Sequence, residues 1–205
     1  MGAPVEVYFE QFDRENDGAV RRAQAAGADA DALARAGQLD EKGWKWPLHR
    51  PLIQAAVTAG FPVRAANLSR AAARRVMATP NLPAAEPALV QEMIDGHCGM
   101  LPASMASGMV AAQRARDEAL AAAMASATGP AILIAGNGHV RRDRGVPAFL
   151  PRNASVLSVG FLETRDGESG PRAYGRGRSG ELLYDYVWFT APQPRPDPCE
   201  ALRKK

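Results

Sequence analysis

Long apolar runs are missing from this chain: none approaches the ~20 residues that a membrane-spanning helix requires. Cysteine is nearly missing. Cys98 and Cys199 are the only two, too few for a disulfide scaffold and badly spaced for zinc, and sequence alone leaves open whether they pair. Aromatic residues are scarce and form no stacking platform. With a net charge of only +3, spread over interspersed acids and bases, that argues against a nucleic-acid partner. The short arginine groups at 70–75 and 172–178 read as solvated faces. No G-x-S-x-G elbow is present. The start, MGAPVEVYFEQF, lacks the basic head, apolar stretch and cleavage site of a secretory signal, so the chain as written would stay in the cytoplasm. It enters a strand-like run at once, which points to an incomplete N-terminus.

What is there fits one domain of α/β class. The length of 205 residues suffices for a single core. Val5 to Phe9, Phe61 to Ala66, the apolar run from Ala131 that ends at Gly136, Ala154 to Phe161 and Leu183 to Thr190 read as strands. Between them lie helical stretches. Asp13 is a cap for an alanine-rich helix running to about Ala36. Pro51 to Ala59, a segment capped by Asn67 or Ser69, Ala88 to Asp95 and Ser104 to Ala127 follow. Such alternation predicts a layered fold with a mostly parallel sheet flanked by helices. Asp166 to Gly180 reads as a mobile surface loop, and residues 191–205 as a tail disordered at its end.

The most informative stretch is AILIAGNGHVRRDRGVP, Ala131 to Pro147. A continuous apolar run bounded by glycine fits a strand buried on both faces. It delivers Asn137, His139 and the arginines at 141, 142 and 144 to the carboxyl end of a strand, where open α/β sheets bind ligands. GNGHVR begins like a dinucleotide fingerprint but has Arg141 where the third glycine belongs, which excludes a nicotinamide enzyme. Guanidinium groups at such a place suit a ligand carboxylate or phosphate.

Of the three histidines, His97 and His139 each follow a glycine, which core packing explains poorly, whereas His49 reads as structural. Glu10 ends the first strand. If that strand and the one before His139 are parallel, carboxylate and imidazole emerge on one edge, suited to a metal or to acid–base work. Tyr184 and Tyr186 are two apart on a strand, share a face and could ligate ferric haem iron, although packing is the commoner use. Met93, Met100, Met105 and Met109 straddle the His97 turn as core filler or as the lining of an apolar pocket.

Four segments together resemble the ChaN-like haem-binding uptake family of the Tiki superfamily: EQFDRE at Glu10–Glu15, GW-x-WP through AANL from Gly43 to Leu68, GHCGMLP with AQRARD ending at Asp117, and LIAGNGHVRRDRGVP. The closing DYVWFT fits as well. The resemblance implies a haem-binding domain over residues 1–190, a homodimer, and a place in the periplasm or cell envelope. Any membrane attachment would be through a lipid anchor that this chain does not contain. Haem would meet His139, His97, Arg141, Asn137, Tyr184 or Tyr186, with the iron ligand left open between the histidines and a tyrosine. Superfamily hydrolases use two G-x-x-H motifs and a glutamate. Gly136 to His139 matches the second motif and Glu10 the glutamate, while the first motif is absent. An enzyme is therefore the second expectation: a divalent-metal hydrolase with Glu10 and His139 at the metal and Glu10, His97 and His139 in catalysis. A degenerate, non-catalytic fragment is the third.

Overall fold

The computed structural model describes residues 4–80, 82–165, 167–168, 170–197 and 199–200. Strand β1 (Glu6–Asp13) forms the centre of a three-stranded sheet of order β2-β1-β3, with β2 (Val63–Asn67) and β3 (Ala131–Ile134) both parallel to it. A second sheet pairs β4 (Val159–Glu163) with β5 (Tyr186–Thr190), also in parallel. Among the described residues there are six α-helices: α1 (Asp17–Ala25), α2 (Ala30–Ala36), α3 (Arg50–Thr58), α4 (Arg70–Met77), α5 (Pro87–Gly96) and α6 (Ala103–Ala125). The α/β class and the parallel pairing expected from the alternation are both present.

Alternation along β1 sends its side chains to two helical layers. Val7 and Phe9 pack with Val20, Leu33 and Ile53 of α1, α2 and α3. Tyr8 faces Leu120 and Ala121 of α6, with Val146 closing that cluster. A strand buried on both faces is thus real, but it is β1. Strand β3, expected in that role, is an edge: Ile132 is 44% exposed, because among the described residues only β1 pairs with it. An apolar run shows that a strand is buried somewhere, not which one takes the middle of the sheet.

Other local expectations shift for local reasons. The alanine-rich segment is two helices, parted at Gly27, whose φ of +83° suits glycine. Asp29 caps the second, accepting from the Ala32 amide at 2.8 Å, while Asp13 makes no cap hydrogen bond. Ser69 caps α4, and Asn67 instead donates to the Glu10 carbonyl at 2.8 Å. Only the end of Ala154–Phe161 is strand. Tyr184 precedes β5 and is buried, whereas Tyr186 is 64% exposed, so the two tyrosines do not share a face. Met100 and Met105 are about half exposed, and none of the four methionines enters the core. His49 stacks edge-on against Trp44 and bonds its carbonyl at 3.1 Å, a structural role.

The segment Asp166 to Gly180 is in part outside the described residues, namely 166 and 169. The rest packs on the β4–β5 sheet: Tyr174 is buried, meets the Phe189 ring, accepts from the Arg165 amide and donates to the Glu168 carbonyl. The tail is tied back by a disulfide between Cys199 and Cys98. Residues 201–205, on which the expected disorder falls, lie outside the described residues.

Candidate functional site

After β3 the chain turns tightly. The His139 amide donates to the Gly136 carbonyl at 2.9 Å, and the His139 carbonyl accepts from the Val146 amide at 2.7 Å. Gly145 makes this return feasible: a Cβ there would stand 2.4 Å from the His139 carbonyl oxygen. The turn drops the His139 ring into the protein, at 6% exposure, rather than onto a surface loop.

A buried imidazole needs partners, and His139 has a carboxylate on each nitrogen. Nε2 lies 3.1 Å from Glu10 Oε1, and Nδ1 lies 2.6 Å from Asp117 Oδ1 on α6. The Gln113 amide group stands 2.9 Å from Nδ1. Glu10 Oε2 in turn accepts the Gly136 amide at 2.7 Å. Arg116 donates to Asn67 Oδ1 at 3.0 Å and to the Leu68 carbonyl at 2.8 Å, so β1, β2, α6 and the turn join in one network. The structure therefore brings Glu10 and His139 together across 129 positions of chain order, although β1 runs on to Asp13 and does not end at Glu10 as expected.

Electrostatics fix the state of this cluster. Burial disfavours a charged His139, but the hydrogen bonds it donates to Asp117 and Glu10 outweigh it and lift its pKa to about 9. Burial likewise opposes ionisation of Glu10, yet His139 and the Gly136 amide hold it below its ordinary value. Asp117 moves the other way: burial, with Glu10 nearby, raises it despite His139. The raised pKa favours an imidazolium at neutral pH, with Nε2 facing Glu10 and Nδ1 facing Asp117. Among the described residues no group of three His, Cys, Asp or Glu side chains could hold a metal ion. Glu10 and His139, bonded to one another, bring two donors to the place that the divalent-metal reading gives them.

The arginines after His139 are paired within the protein. Arg141, only 9% exposed, donates from Nε and Nη2 to Asp143 at 2.9 and 2.6 Å and from Nη1 to Glu92 at 2.7 Å. Arg144 grips both Glu92 oxygens at 2.6 and 2.5 Å. Arg142 pairs with Asp185 at 2.7 Å. Asn137 clamps β4, donating to the Phe161 carbonyl at 2.6 Å and accepting its amide at 3.1 Å. Tyr184 donates to the Asn137 carbonyl at 3.2 Å.

Beside this cluster lies a cleft of about 1070 Å³, bounded by α4, residues 82–86, α5, α6 and the segment 138–149. That volume is at the upper end for a cofactor-sized site. Val76, Leu89, Met93, Val110 and Phe149 give it apolar walls, and Gln113, Asp117 and Gly138 connect it to the His139 network. His97, at the end of α5, borders the same cleft. Its Nδ1 lies 2.8 Å from the Met93 carbonyl oxygen. A carbonyl only accepts, so Nδ1 carries the proton and Nε2 keeps a lone pair in the neutral ring. The next residue, Cys98, has φ of +61° and carries the disulfide to the tail.

Three members of the site were missed in the sequence: Asp117, Gln113 and Glu92. The first two stand four apart on α6 and so share a helix face, but that spacing alone does not mark the face as buried. Glu92 had no signal, being 49 and 52 residues from the arginines it binds.

Comparison with known proteins agrees with the fold. A family model described as haem-binding uptake, Tiki superfamily, ChaN, matches residues 2–150. The solved structure of cofacial heme binding to ChaN of Campylobacter jejuni superposes with a TM-score of 0.70, covering 90% of this chain and 73% of that one at 17% identity. At that identity the likeness shows the fold alone. No curated protein matches.

Proposed function

Given that the chain belongs to the haem-binding uptake family of the Tiki superfamily, we propose that it binds haem in the cleft beside His97 and serves bacterial haem and iron uptake. The observation that carries this reading is the state of His97. It borders an apolar-walled cleft of cofactor size, and its Nδ1–H is spent on a backbone carbonyl. That is the arrangement by which histidine ligands are held in one tautomer, with the other nitrogen left for a metal. Bound haem supplies an iron that takes such an axial nitrogen. His139 has a carboxylate against each nitrogen, and neither Tyr184 nor Tyr186 is among the residues that border the cleft. His139 acts instead as a positioning residue that fixes the Asp117 and Gln113 wall.

Titration of the protein with hemin tests this. A saturable Soret shift near one equivalent is expected. His97→Ala should move the Soret band and weaken binding by roughly tenfold or more, the loss of one good ligand contact. No saturable shift, or a His97→Ala spectrum identical to wild type, would overturn the proposal.

The same reading puts the protein in the periplasm or cell envelope. The Cys98–Cys199 disulfide supports it, since such bonds persist in oxidising compartments. Protein unfolded directly from an envelope fraction should label at neither cysteine; labelling at both would count against that compartment.

A further inference from the structure

Two arginines meet on one side of the cleft and share a single carboxylate, Glu92, but their situations differ. Arg141 is almost fully buried and has a second anion of its own, since Asp143 takes its Nε and Nη2 in a fork. Arg144 and Glu92 border the cleft, with side chains 29% and 36% exposed. Among the described residues Arg144 pairs with no other carboxylate. Two guanidinium groups and two carboxylates cancel, so this wall presents no net charge to an incoming anion. Arg114, the other arginine on the cleft, is paired with Glu118 at 2.9 Å and lies over the Phe149 ring.

We propose that Glu92 is an internal stand-in for a ligand carboxylate: it occupies Arg144 until a carboxylate on the bound molecule takes its place. The proposal rests on the haem reading for the molecule concerned, whose two propionates are such groups. The geometry suits an exchange. Both terminal nitrogens of Arg144 engage both Glu92 oxygens, and any carboxylate can reproduce that bidentate pair. Glu92 does not become stranded on release, because Arg141 Nη1 still holds its Oε1. Asp143 in turn keeps Arg141 fixed, so the anion-receiving arginine is Arg144 and not Arg141.

An exchange of like for like has a distinctive consequence. The wild-type protein gains one ion pair and loses another, so it should prefer an acid over its ester only weakly. Removing the stand-in should uncover the preference, and removing the arginine, which leaves the Glu92 carboxylate behind, should reverse it.

The probes are hemin and hemin dimethyl ester, titrated by Soret absorbance into the wild type, Glu92→Gln and Arg144→Gln. Glu92→Gln is expected to raise the ratio of hemin to ester affinity by roughly tenfold, the scale of one charge-assisted hydrogen-bonded pair. Arg144→Gln leaves the Glu92 carboxylate on Arg141 with no arginine for the incoming group, and should drop that ratio severalfold below the wild-type value. It carries the test even where Glu92→Gln folds poorly. A ratio unchanged from wild type in Arg144→Gln overturns the exchange while leaving haem binding intact. Failure of the wild type to bind either porphyrin overturns the haem reading and this proposal with it.

Discussion

His139 and His97 each follow a glycine at the end of a secondary-structure element, yet the fold treats them in opposite ways. His139 is buried, with Glu10 on one nitrogen and Asp117 on the other. His97 is half-buried, with one nitrogen on the Met93 carbonyl. Two carboxylates favour the cationic form of a buried ring, which pins β1, α6 and the turn after β3 together. One backbone carbonyl only orients a ring and leaves its second nitrogen in reserve. The number and charge of the partners, more than the glycine before the ring, decide whether a histidine anchors or binds.

Removing the anchor should have the largest effect. His139→Ala leaves two buried carboxylates facing a void, and breaking a buried ion pair in this way costs about 3–5 kcal/mol. Chemical denaturation would measure it. Asp117→Asn, which keeps the hydrogen bond and loses the charge, should cost less. A loss below about 1 kcal/mol for His139→Ala would place the ring among ordinary surface residues and remove the contrast.

Titration is the next largest. The folded protein holds the His139 proton up to about pH 9, while the unfolded chain releases it near 6.5. Between those values the native state binds more protons than the unfolded state, so stability falls as pH rises. The contribution is complete below about pH 6.5 and is lost through pH 9. Its full size is on the order of 3 kcal/mol. Glu10 has the reverse sign: its lowered pKa gives stability that is present above its ordinary value and lost on acidification. A Tm that declines from pH 6.5 to 9 in wild type and stays level in His139→Ala is expected; a level wild-type curve would show the ring to be uncharged.

How much of this was legible beforehand follows from range. The helices α3 to α6 and strands β1 and β2 were placed within a few residues, because capping and periodicity are local. The convergence of Glu10 and His139 was also readable, since parallel strands put their carboxyl ends on one edge. Asp117 was not: an acid inside an alanine-rich helix looks like a solvated group until a buried imidazole is found opposite it. Arg141 and Arg144 looked available for the same reason, as their partner Glu92 belongs to a different helix. Edge and centre of the sheet were exchanged between β3 and β1, because order in a sheet depends on which strands pair and not on how apolar each one is.

The smallest expected effect sharpens the contrast most. His97→Ala removes a half-buried ring whose one hydrogen bond is to a carbonyl in the last turn of α5, where water can take over. Its cost should stay within about 0.5 kcal/mol, the range of ordinary surface substitutions. The same variant should change the hemin spectrum. Stability kept while the ligand signal is lost is what separates a residue held in reserve from one that holds the fold. If His97→Ala destabilised the protein as much as His139→Ala, both rings would be anchors, and the cleft would have to find its iron ligand elsewhere.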